Sequence, residues 1–208
     1  MTNRVRHLMT GVAFTVTLAS AGQAFAAEDR QVTIVLHVEN YAHLPPSDRL
    51  PAEAEVTRIY ATAGIRTVWA TGNEHADAPG LHVRVILFSH DIAMRELLAE
   101  PVPDSVLGLA AREAGRAYIF TRRIANLALR HGDDFRRVLG RVMAHEVGHL
   151  VLPVYSHADQ GIMRANVGAD SKSARDFTTE QGVAMRSTLL AASRRHAAEI
   201  TDAAVIGR

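Results

Sequence analysis

His145, Glu146 and His149 lie in one short run, Met143-Ala144-His145-Glu146-Val147-Gly148-His149-Leu150-Val151-Leu152. A helix turns about 100° per residue, so positions four apart lie nearly above one another. On a helix, His145 and His149 therefore aim two imidazoles at one spot, as a zinc ion requires of two nitrogen ligands. Glu146 lies beside them, where its carboxylate can take a proton from a metal-bound water. The spacing is H-E-x-x-H. Five residues alone are a modest signal, and the segment C-terminal to them adds the weight.

After the run come Pro153-Val154-Tyr155-Ser156-His157 and then Gly161-Ile162-Met163. Pro153 has no backbone N–H and ends the helix at or just before itself. The chain must turn there, and a turn can bring His157 back towards the two helical imidazoles. Three neutral nitrogen ligands would leave a fourth tetrahedral position open, the arrangement of a catalytic rather than a structural zinc site. Asp159 is a competing third donor, since carboxylates also bind zinc. The other histidines, His37 and His82 among them, show no comparable spacing.

The segment 143–164 resembles the metzincin clan of metallopeptidases, which carry H-E-x-x-H-x-x-G-x-x-H followed by a methionine-containing turn. The resemblance implies metal ligands at His145, His149 and His157, a general base at Glu146 and the turn methionine at Met163. It also departs from the clan. Metzincins place five residues between the second and third histidines, whereas seven separate His149 from His157. Leu152 and Pro153 stand where the clan's glycine would end the helix. The loop must therefore follow a different path, as in a divergent relative.

The histidine helix needs a scaffold, and the rest of the chain suggests one. The chain has 208 residues, 48% of them hydrophobic and 22% charged, which suits one globular domain with a core of its own. Arg4, Arg6 and His7 precede an apolar stretch from Leu8 to Ala21, then Ala24-Phe25-Ala26. This is the pattern of a secretory signal peptide, residues 1–26, leaving a domain of residues 27–208 that is secreted or periplasmic. No other segment approaches membrane-spanning length, so no stable membrane insertion of the mature chain is expected. Removing Arg4 and Arg6 takes the formal charge from +1 to −1. With no basic run or aromatic stripe, nucleic-acid binding has little support. Cysteine is absent, which excludes thiolate metal sites and disulfides.

Apolar runs bounded by turn residues predict strands over Val32–Val38, Ile65–Trp69 and Leu81–Phe88. A hairpin is expected from Val106–Ala111 and Arg116–Thr121. Helices are expected over Pro51–Ala63 with Gly64 as cap, over Arg123–Arg130 closed by Gly132, and from Asp133 or Asp134 into the histidine run. Thr178-Thr179-Glu180-Gln181 reads as a capping box opening a last helix to about His196, after a polar loop at 166–176. The fold class expected is α+β: a single zincin-like domain, its twisted mixed sheet packed against the histidine helix, with a C-terminal helix. By analogy with zincins, the 106–121 hairpin would supply the edge strand that lines a substrate cleft.

The function that these expectations imply is hydrolysis of peptide bonds in a protein or peptide substrate, with one catalytic Zn²⁺. A gluzincin-like alternative would take the third ligand from Glu199, in Glu199-Ile200-Thr201-Asp202, or from Glu180. A non-catalytic metal-binding or interaction domain on the same scaffold is the alternative of a different class. Glu146 argues against it, because structural binding needs no general base.

Overall fold

Among the described residues, five strands form one sheet, in the order β2-β1-β3-β5-β4. They are β1 (Val32–Asn40), β2 (Ile65–Ala70), β3 (Leu81–Phe88), β4 (Gly108–Ala111) and β5 (Arg116–Phe120). The structure is a computed structural model and describes residues 32–72, 78–89, 103–153, 157–165 and 175–206, with side chains as far as Arg195. The candidate signal peptide and most of the 166–176 loop lie outside the described residues. The described residues fall within one compact unit, Gln31–Arg208. Among them, no helix is long and apolar enough to cross a membrane.

The sheet is mixed, as expected. β1 pairs in parallel with β2 and β3, and β3 with β5, while β4 runs antiparallel to β5 and forms an edge. Both strands of the 106–121 hairpin are present, joined by a 3₁₀ turn at Arg112–Ala114 and by Gly115. Alternate side chains of a strand face opposite ways. Ile34, Leu36, Val83, Val85, Leu87, Ala117 and Ile119 therefore share one face and join the main core. Ile86, Tyr118 and Phe120 lie on the other face in a smaller cluster.

Four helices are described: α1 (Pro46–Thr62), α2 (Thr121–His131), α3 (Phe135–Val151) and α4 (Thr179–Ile206). The expected start of α1 is corrected. It begins at Pro46, with the N–H groups of Asp48 and Arg49 bonded to the Pro45 carbonyl, and Pro51 lies inside it. Proline at the first helical position loses no bond at either place. Starting at Pro46 leaves Pro51 without its N–H inside the helix, a cost offset by contacts of the added turn, Asp48 with Arg136 at 3.0 Å and Arg49 with Glu53. Gly64 follows α1 with φ 71°, and Gly132 closes α2 with φ 67°. Thr178 and Gln181 form the reciprocal capping box, at 3.0 Å and 3.3 Å. The helix that it opens runs ten residues past His196, to Ile206.

α3 is the element that the site depends on. The Asp134 side chain caps it by accepting the Arg136 N–H at 2.9 Å. Val138, Leu139, Val142, Met143 and Val147 then bury it against α1 and the sheet. Truncating a fully buried side chain such as Leu139 to alanine costs about 2–5 kcal/mol. At Gly140 the two helices nearly touch, and a Cβ there would lie 2.6 Å from the Ala52 carbonyl oxygen. The Tyr60 hydroxyl of α1 adds a buried hydrogen bond to the Ala144 carbonyl, one residue before His145, at 3.2 Å. The histidine helix is thus held from behind along its length.

Candidate metal centre

His145 and His149 project from the last two turns of α3, and His157 returns from the loop after it. One ring nitrogen from each lies within 4.8 Å of those of the other two. Ring centroids are 4.6 Å apart for His145 and His149, 4.9 Å for His149 and His157, and 5.4 Å for His145 and His157. The Nε2 atoms of His145 and His149 are 3.0 Å apart. Two nitrogens bound to one zinc at ~2.0–2.1 Å with tetrahedral angles would lie about 3.3 Å apart. The donor set therefore fits a zinc ion in both chemistry and spacing.

The tautomer of His145 is set by its surroundings. Its Nδ1 lies 2.8 Å from the Ile162 carbonyl oxygen, which can only accept, so Nδ1 carries the proton. Nε2 is left with its lone pair aimed at the cluster, which is how a protein orients an imidazole ligand. Burial lowers the pKa of His145 to about 4, against the pull of the Ile162 carbonyl and with a smaller push from His157. Burial also lowers His149 to about 4, helped by His145, His157 and Arg112. Both rings are therefore neutral, as ligands must be, well below neutral pH.

Glu146 is 7% exposed, and burial alone raises its carboxyl to about 8. A positive charge held by the three imidazoles would stabilise the carboxylate and bring that value down. Gly108, the first residue of edge strand β4, lies against this side chain. A Cβ built on Gly108 would meet Glu146 Cγ at 2.6 Å, Oε1 at 2.8 Å and Cδ at 2.9 Å.

The loop carrying His157 is closed by Ala158 N–H donating to the Met163 carbonyl at 2.9 Å. Gly161 turns it with φ 74°. Met163 is fully buried, and a Cβ on Gly148 would lie 2.7 Å from its Sδ. The small residue inside the histidine run is what lets the methionine reach the helix. At the end of α3, the His149 carbonyl would ordinarily accept from residue 153, but Pro153 has no N–H. Arg112, at the tip of the β4–β5 hairpin, donates a guanidinium N–H to that carbonyl instead. The edge hairpin is thereby tied to the helix at both Glu146 and His149.

His145, His149 and His157 are thus brought together, with Glu146 next to His145 on the same helix. Asp159 is exposed and joins no ligand cluster among the described residues, and neither does Glu180, exposed at the start of α4. The side chain of Glu199 lies outside the described residues. Sequence reasoning missed the Ile162 carbonyl, Gly108, Gly148 and Arg112. Only two of these left a signal: the glycine within the histidine run, and the carbonyl that Pro153 leaves without a donor.

No protein-family model matches the chain, and no curated protein does. Among solved structures, the chain is similar to the crystal structure of a zinc-dependent peptidase from Methanocorpusculum labreanum (strain Z). The TM-score is 0.51 at 17% sequence identity, and the match covers 73% of this chain and 99% of that one. The likeness is one of fold.

Proposed function

We propose that this protein is an exported zinc-dependent metallopeptidase that hydrolyses peptide bonds in proteins or peptides. His145, His149 and His157 hold one zinc ion, and Glu146 is the general base. The observation that carries this reading is the convergence of three imidazole nitrogens within 4.8 Å, with Glu146 adjacent on the same helix. The fold likeness to a zinc-dependent peptidase agrees with it.

When bound, zinc supplies Lewis acidity, acidifying a water and polarising the substrate carbonyl. Glu146 then does the proton work. Its carboxylate accepts a proton from the attacking water and returns it to the leaving amine nitrogen as the C–N bond breaks. Ile162 keeps the His145 lone pair directed at the cluster throughout. Met163 packs as an apolar floor beneath the helix at Gly148, the part that the turn methionine plays in metzincins. β4 is an edge of the sheet among the described residues, and that edge would offer backbone N–H and C=O groups to an extended peptide adding as one more strand.

Glu146→Gln tests the mechanism. The amide nearly matches the carboxylate in shape but cannot take the proton. Zinc content should stay at the wild-type level while cleavage of a responsive peptide falls by about 10²–10⁴-fold. Equal cleavage by both proteins would refute the role of Glu146. Export is tested separately, by the N-terminal sequence of protein recovered from periplasm or medium. The chain should begin near Ala27, and an intact Met1 or Thr2 would contradict it.

A further inference from the structure

We infer that Gly108 is a positioning residue for Glu146: the side chain it lacks leaves the space that sets where the Glu146 carboxylate lies. The consequence for catalysis rests on Glu146 being the general base, as proposed above.

Backbone conformation does not require glycine at this position. Gly108 is not among the residues with positive φ, so its backbone suits any L-residue. Glycine inside a strand weakens it and commonly marks the close approach of another group. Here that group is the Glu146 side chain, whose Cγ, Cδ and Oε1 would all lie under 3.0 Å from a methyl on Gly108. Real Cβ atoms essentially never show such contacts, so something must shift.

Neither backbone can retreat freely. Next to Gly108, the Leu107 carbonyl accepts from Phe120 N–H at 2.9 Å, and Gly108 itself pairs with Ile119. Arg112 holds the far end of the same hairpin to the His149 carbonyl. On the helix side, every residue from Val138 to Gly148 is buried, and α3 rests on α1 at Gly140. The flexible part of the contact is the Glu146 side chain beyond Cβ. A methyl at Gly108 would therefore displace the carboxylate while the imidazoles stay in place. Misplacing a catalytic group by about 1 Å can cost on the order of 10²-fold in rate.

The experiment compares full-length wild type, Gly108→Ala, Glu146→Ala and the double variant. Zinc content and thermal unfolding are measured on all four, and kcat and KM on the proteins that cleave a peptide. Gly108→Ala should keep wild-type zinc and a similar KM, with kcat reduced about 10–10²-fold. It should lower the melting temperature when Glu146 is present and leave it unchanged in the Glu146→Ala background, where the atoms struck by the methyl are gone. An equal loss of melting temperature in both backgrounds would overturn the inference, as would an unchanged kcat. Should Gly108→Ala fail to fold, a folded double variant upholds the contact and an unfolded one overturns it. If zinc-loaded wild type cleaves nothing, the peptidase reading falls, and the unfolding comparison still decides whether Gly108 sets the carboxylate.

Discussion

Two clusters of imidazoles in this molecule have nearest nitrogens 3.0 Å apart, and they are built for different ends. On the sheet, His82 Nε2 lies 2.9 Å from the Ala78 carbonyl and must donate to it. Its Nδ1 is therefore an acceptor, filled by His37 Nε2, and the rings stack with centroids 5.2 Å apart. That pair is a hydrogen-bonded chain of two rings and a backbone carbonyl. On α3, the Ile162 carbonyl likewise leaves His145 with a lone pair facing another imidazole, here at Nε2, but a third ring joins the group. The distance between two nitrogens thus says little about function. What distinguishes the centre is how many rings converge and whether a carboxylate stands next to them in the chain.

The contrast can be broken most decisively at the ligands. His145→Ala or His149→Ala should abolish zinc retention through dialysis, measured by elemental analysis. His37→Ala and His82→Ala should each leave the zinc content at the wild-type level. Zinc lost from a sheet variant that remains folded would erase the distinction. Glu146→Gln comes next in size, affecting rate and not metal.

A smaller effect lies in the pH dependence of the metal-free protein. His145 and His149 titrate near 4 when folded against an ordinary 6.5. Their contribution to stability is present above pH 6.5 and is lost as pH falls through 4. Glu146 runs the other way, from an ordinary 4.5 to about 8. Its contribution is complete below pH 4.5 and is lost as pH rises through 8. For these three groups together, stability should be greatest near pH 6.5 and fall on both sides, as read by urea unfolding. Zinc should shrink the alkaline limb by stabilising the carboxylate, and Glu146→Gln should remove it. An alkaline limb of full size in Glu146→Gln would show that burial of Glu146 is not its cause.

Much of this architecture can be read from the chain because it depends on local pattern. Leu81–Phe88 reads as a strand from its apolar run, and the histidine pair comes from helical spacing. The start of α1 is not legible in the same way, because Pro46 and Pro51 are both compatible with a first turn and tertiary packing decides between them. The longer extent of α4 beyond His196 lies in a segment without a stop signal before Gly207. The contacts that shape the centre are of another kind. Gly108 meets Glu146 across 38 positions, and Ile162 meets His145 across 17. Such pairs become neighbours only once the sheet order and the loop's return are known. His157 lies between these cases: its residue type suggests a ligand, and its place depends on a loop that the metzincin spacing does not describe.

We propose three imidazoles, one of them from the loop, as the ligands of the metal. X-ray absorption at the zinc edge of the zinc-loaded full chain tests this assignment most directly, with His157→Ala and Asp159→Ala measured alongside. Three imidazoles are expected around the metal in wild type, three in Asp159→Ala and two in His157→Ala. Two imidazoles in the wild type, or three remaining in His157→Ala, would contradict it.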